Sequence, residues 1–127
     1  MLKRLFIVLL AVVAITSCGG GERLSAEQTV VECWTRIAAG DYQGAVALME
    51  SNEQESGEYA MLLQEKYAAK LEKAGGLVRV DVLSEYSNEN EAMIQAIVVL
   101  GNGAQIEDVY TLKKVDKEWI MGAYRAE

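Results

Sequence analysis

At Gly75-Gly76 the hydrophobic repeat of the chain changes from about four residues to two. No other feature restricts the fold as much. Before the glycines, Val30, Cys33, Trp34 and Ile37 fall at i, i+3, i+4 and i+7, and Tyr59, Leu63, Tyr67 and Leu71 recur every four residues. Both series put their apolar groups on one stripe of a helix. After the glycines, Val78, Val80 and Val82 alternate with Arg79 and Asp81, as a strand with one buried face requires. Helices in one half and strands in the other define an α+β fold.

Local signals set the boundaries. Ser25 with Gln28 forms a capping box, which predicts a helix from there to about Ala39, stopped by Gly40. Asp41 caps a second, shorter helix with Tyr42, Ala45 and Met49 on its apolar face. Ser51 to Gly57 reads as a polar break, and a third helix runs from there to about Ala74. Strands are expected at Leu77–Tyr86, Ala92–Leu100, Ala104–Val115 and Glu118–Tyr124, joined by turns at 87–91, 101–103 and 116–117. The architecture expected is three helices packed on a curved four-stranded antiparallel meander. Its second strand is apolar on both parities, with Ile94, Ala96 and Val98 on one face and Met93, Ile97 and Val99 on the other. A sheet with one solvated face alternates more cleanly, so a second copy or a protein partner is expected over the face that the helices leave open.

The N-terminus has its own logic. Lys3 and Arg4 precede the apolar run Leu5–Ile15, which is too short to span a bilayer as a helix and reads as a secretory signal. Ile15-Thr16-Ser17-Cys18 resembles the bacterial lipobox, in which the cysteine thiol is acylated and becomes the new N-terminus after cleavage. The expected division is a signal peptide at 1–17, a lipidated Cys18 with a glycine tether at 18–24, and one domain at 25–127. Gly19 behind Cys18 is not an acidic retention signal, so the expected location is the cell envelope and its outer membrane. The chain of 127 residues carries a net charge of −7, and loss of 1–17 would make it more acidic by two. That balance argues against nucleic acid as a partner. Cys33 is then the one remaining cysteine, and its place on the apolar helix face makes it a core residue rather than a reactive thiol.

Gly40-Asp41-Tyr42, Gly75-Gly76, Tyr110-Thr111-Leu112 and Val115-Asp116-Lys117-Glu118-Trp119-Ile120 together resemble a family of short bacterial lipoproteins of unknown function. Their domain has the cystatin-like, nuclear transport factor two-like fold. The resemblance implies a cone of curved sheet over helices, often with a pocket and often dimeric through the sheet face. It says little about activity, since the superfamily holds both enzymes and binding domains.

The chemistry available is narrow. The chain has no histidine, which removes Ser-His and Cys-His nucleophile pairs and the usual zinc sites. No phosphate-binding glycine loop occurs, and Ser87–Glu91 lacks the spacing of a calcium loop. No metal or cofactor is expected. One constellation suits catalysis: Asp108 and Tyr110 share a face of the third strand with Ile106 and Leu112. A carboxylate inside an apolar cone would act as a general base and a nearby phenol would stabilise an oxyanion, in the style of ketosteroid isomerase. The plainer reading puts Asp108 in water and Tyr110 in the core with its hydroxyl bonded. The sequence therefore favours a non-enzymatic, membrane-anchored ligand-binding or assembly domain. The alternative is a small pocket enzyme of isomerase or dehydratase type using Asp108 and Tyr110 on a small-molecule ligand.

Overall fold

The computed structural model describes residues 24–122. The expected signal peptide, Cys18 and Tyr124 lie outside them. Helix α1 spans Ala26–Ala38, α2 spans Tyr42–Val46 and α3 spans Glu53–Ala74. Strands β1 (Leu77–Ser87), β2 (Glu91–Leu100), β3 (Gln105–Val115) and β4 (Glu118–Met121) follow, antiparallel and paired in the order β1-β2-β3-β4.

The caps explain where the helices begin. The Ser25 hydroxyl accepts from the Gln28 amide at 3.1 Å, and Gln28 Oε1 accepts from the Ser25 amide at 2.8 Å. Asp41 Oδ1 accepts from Gly44 N at 2.9 Å and opens α2. The expected break over 51–57 is shorter than the sequence suggested. Asn52 and Glu55 form a second capping box, so α3 begins at Glu53 and carries Gly57 within it. The reciprocal cap satisfies two orphan amides and outweighs the helix cost of one glycine, about 1 kcal/mol. Gly75, at φ +86°, ends α3 in the left-handed region.

The core lies between the helices and one face of the sheet. Val30, Cys33, Trp34 and Ile37 of α1, Ala45 and Val46 of α2, and Leu63 and Leu71 of α3 are all buried. The sheet presents Ala92, Ile94, Ala96, Val98 and Leu100 to them, again all buried. Register extends this face across β3: Val98 pairs with Ile106, Ala96 with Asp108, Ile94 with Tyr110 and Ala92 with Leu112. Leu112 pairs in turn with Met121 of β4.

Strand β1 departs from simple alternation. Register shifts fall between Leu77 and Arg79 and between Val82 and Ser84. Val78 and Leu83 are the extra residues, and both are about half exposed, at 56% and 51%. Val78 therefore does not share the inner face with Val80 and Val82, because each bulge resets the parity of the strand. The outer face carries exposed Tyr86, Met93 and Val109, beside a polar row in which Ser84 bonds Gln95 and Gln95 bonds Glu107. Of the two sheet edges, β4 is tied to the segment after α2. Met121 N donates to Leu48 O and Glu50 N to Met121 O, both at 2.8 Å.

Candidate functional site

Helix α1 lies on the sheet, while α3 packs chiefly on α2 and α1. This arrangement opens a cleft between α3 and strands β3 and β4. The cleft forms a cavity of about 440 Å³, within the range of small-molecule sites. Trp34, Ile37, Leu63 and Met121 give it an apolar floor, and Asp108, Tyr110, Tyr67 and Lys66 supply its polar groups.

Trp34 and Tyr110 organise the wall. Trp34 Nε1 donates to the Tyr110 hydroxyl at 2.9 Å, as a buried indole requires. Tyr67 packs edge-to-face on Trp34, with ring centroids 5.0 Å apart and planes at 73°. Burial drives the Tyr110 hydroxyl well above the usual phenol value, opposed only in part by the bond from Trp34. Tyr110 is therefore a neutral phenol across the physiological range. One of its lone pairs is held by Trp34, and that bond leaves its own proton to donate.

Asp108 stands two residues before Tyr110 on the same face, opposite Ala96. Two residues of strand separate the pair by roughly 6.7 Å along the backbone. Asp108 is exposed, so it lies at the cavity rim rather than inside an apolar cone. Its Oδ1 accepts from Val109 N at 2.7 Å, which holds one oxygen of a carboxylate that lines the cavity. Cys33 also lines the cavity but is 1% exposed. Its Sγ lies 3.9 Å from Ala45 O, and burial pushes the thiol up to about 12. At neutral pH it is a packed thiol and not a nucleophile.

The sequence singled out Asp108 and Tyr110, and the fold brings both to one cavity. It did not single out Lys66 or the Trp34–Tyr110 bond. Lys66 precedes Tyr67 in the four-residue stripe of α3, one step off the buried face, which is where a rim residue sits. A buried tryptophan needs an acceptor, and that need was a usable signal. Which tyrosine supplied it depended on the pairing of distant elements. Among the described residues, no cluster of three or more His, Cys, Asp or Glu side chains could hold a metal. The Asn88 side chain is taken up by its own turn, accepting from the amides of Asn90 and Glu91.

No family model and no curated protein matches the chain. Solved structures do. A Campylobacter jejuni protein provisionally named an NTF2-like transpeptidase is 18% identical, with a TM-score of 0.70 over 80% of this chain and all of that one. The fold is NTF2-like. A SEC-C motif containing protein from Rhodopseudomonas palustris is 14% identical, with a TM-score of 0.57 over 82% of each chain. At these identities the likeness carries the NTF2-like fold and not a particular lipoprotein family. It does overturn the expectation of a non-enzymatic domain. That expectation treated the cone as a passive surface, whereas the same fold carries an enzyme's name in the Campylobacter protein. Here the NTF2-like fold leaves a cleft lined by a carboxylate and a neutral phenol on one strand face.

Proposed function

We propose that the chain is a small pocket enzyme of isomerase or dehydratase type that moves a proton next to a carbonyl group. The observation that carries this reading is the Trp34–Tyr110 bond at the wall of the cavity. It fixes the phenol by its acceptor side and turns it into a positioned donor. A donor held in place where negative charge develops is the largest contributor to many enzyme rates.

The chemistry balances with these two residues. Asp108 takes a proton from the carbon beside the carbonyl. The C–H electron pair becomes the new C=C bond, and the carbonyl π pair moves to oxygen. That oxygen accepts the proton-bearing bond from Tyr110. As the oxygen pair re-forms the carbonyl, the electrons of the new C=C shift. In a β,γ-unsaturated substrate the double bond moves into conjugation and the γ carbon takes the proton from Asp108. In a β-hydroxy substrate the C–O bond breaks, and the departing hydroxyl takes that proton and leaves as water. The strand spacing of the pair suits a base and an oxyanion donor acting on adjacent substrate atoms, each about 3 Å from its partner.

The test is hydrogen–deuterium exchange at carbons beside the carbonyl in a panel of ketones, followed by proton NMR. Asp108→Asn is expected to lower the exchange rate by at least about a hundredfold while the circular dichroism stays unchanged. Tyr110→Phe is expected to lower it by a similar factor. No exchange above buffer by the unsubstituted protein with any member of the panel would end this reading.

The enzyme would work at the cell envelope, tethered by acyl chains on Cys18 through the glycines that follow it, as in the short bacterial lipoproteins that the sequence resembles. The exposed apolar groups on the outer sheet face would then receive a protein partner or a second copy.

A further inference from the structure

Among the described residues the cavity has one cationic group, Lys66, the only lysine or arginine lining it, and the proton-transfer reading gives it no task. Three other basic side chains are occupied by carboxylates: Arg36 by Glu32 at 2.9 Å, Arg79 by Asp81 at 2.9 Å and Lys113 by Glu50 at 3.0 Å. Lys66 has no carboxylate three or four residues away on its helix, where Leu62, Leu63, Ala69 and Lys70 stand. Its ammonium lies instead 5.5 Å from the Tyr67 ring centroid, a distance at which a cation is attracted to the ring face.

That contact joins Lys66 to the wall already described. Lys66 rests on Tyr67, Tyr67 packs on Trp34 at 5.0 Å, and Trp34 donates to Tyr110 at 2.9 Å. Asp108 shares the strand face of Tyr110 and lines the same cavity. The cavity therefore offers a carboxylate, a phenol and an ammonium together. The chemistry that meets all three is an acidic C–H, a carbonyl oxygen and an anion. The chain as a whole is acidic, with a net charge of −7, so its general field repels anions. An anion would be held only where a cation is fixed locally.

We infer that the substrate is an oxo acid with an apolar tail, its carboxylate held by Lys66. The inference rests on the proton-transfer reading for the oxo group, but its binding half stands by itself. Lys66 is a binding residue here and takes no proton.

The experiment is calorimetric titration of the full chain with two probes of different reach, 2-oxo-4-phenylbutanoate and 4-oxo-6-phenylhexanoate, and with their uncharged primary amides. At least one acid is expected to bind saturably. Its Kd is expected to rise about five- to tenfold in Lys66→Met and to stay within about twofold in Lys66→Arg. The amides are expected to bind equally to the unsubstituted chain and to Lys66→Met. Lys66 is exposed, so the substitution leaves the core intact, and thermal unfolding checks this directly. The inference is overturned if neither acid binds, or if the acids bind Lys66→Met as tightly as the unsubstituted chain. Lys66-dependent binding without exchange of the carbon-bound protons would uphold the anion site and sink the Asp108 reading, so the two failures are distinguishable.

Discussion

A buried thiol, Cys33, and a partly buried phenol, Tyr110, make the stability of this fold depend on alkaline pH. Both are neutral when protonated, and burial holds the proton on each. The unfolded chain releases the Cys33 proton near the ordinary 9.0, while the folded chain keeps it to about 12. Between those values the unfolded state binds fewer protons, so stability falls as pH rises, and below pH 9 the two states do not differ. Tyr110 adds a second loss that starts near its ordinary 10.0. The slope for each group is at most about 1.4 kcal/mol per pH unit. Urea midpoints measured from pH 8 to 11 are expected to fall from about pH 9, and in Cys33→Ala the fall is expected to begin about one unit later. A flat profile in the unsubstituted chain would show that neither group keeps its proton. The sequence was legible here for Cys33, since helical spacing alone assigned it to the core. For Tyr110 it gave the face and not the partner. The Trp34 bond spans 76 positions, and no local pattern encodes such a distance.

At the scale of elements, glycines in different settings give opposite expectations. Gly57 lies within α3, where an added Cβ would meet nothing within 4 Å. Gly57→Ala is expected to stabilise by about 0.5–1 kcal/mol, because alanine gives the unfolded chain less freedom to lose. Gly101 opens the turn between β2 and β3, and its Cβ would stand 2.6 Å from both Ala74 O and Gly75 O. Those oxygens belong to backbone at the end of α3 and cannot swing aside. Gly101→Ala is therefore expected to cost about 2 kcal/mol or more by forcing that junction apart. Thermal melts of the two variants read both signs, and equal shifts would refute the packing argument. The elements themselves were largely legible, because caps and periods are local. What misled was Gly57, which looks like a breaker until Asn52 and Glu55 are recognised as a cap. The bulges of β1 left no such mark, since Val78 and Leu83 fit a strand pattern and only pairing with β2 singles them out.

At the scale of the molecule, the proposed anchor makes its own prediction. Acyl chains on Cys18 would hold the protein to a bilayer more firmly than any surface contact of an acidic domain. In cells, Cys18→Ala is expected to move the protein from the membrane fraction to the soluble one. Cys33→Ala, which removes only the buried thiol, is expected to leave it at the membrane. Retention of Cys18→Ala would refute the anchor. The overall α+β plan was readable because the change of period at Gly75-Gly76 separates the two layers along the chain. The cavity was not, because it arises from the distance at which α1 holds α3 from the sheet, and the sequence does not state distances.

The tie between Leu48, Glu50 and Met121 bears on the order of assembly. Every strand pairs with its neighbour in sequence, so the meander can zip from one turn to the next with short loops to close. The parallel bridge of Met49 with Met121 joins the segment before the long helix to the last strand, far apart in sequence. Closing so long a loop is entropically costly, and the contact is favoured once helices and hairpins already hold its ends together. The last strand, at four residues, has little pairing of its own to keep it there. Its docking is therefore expected late in folding and early in unfolding, and with it the cavity wall that Met121 completes.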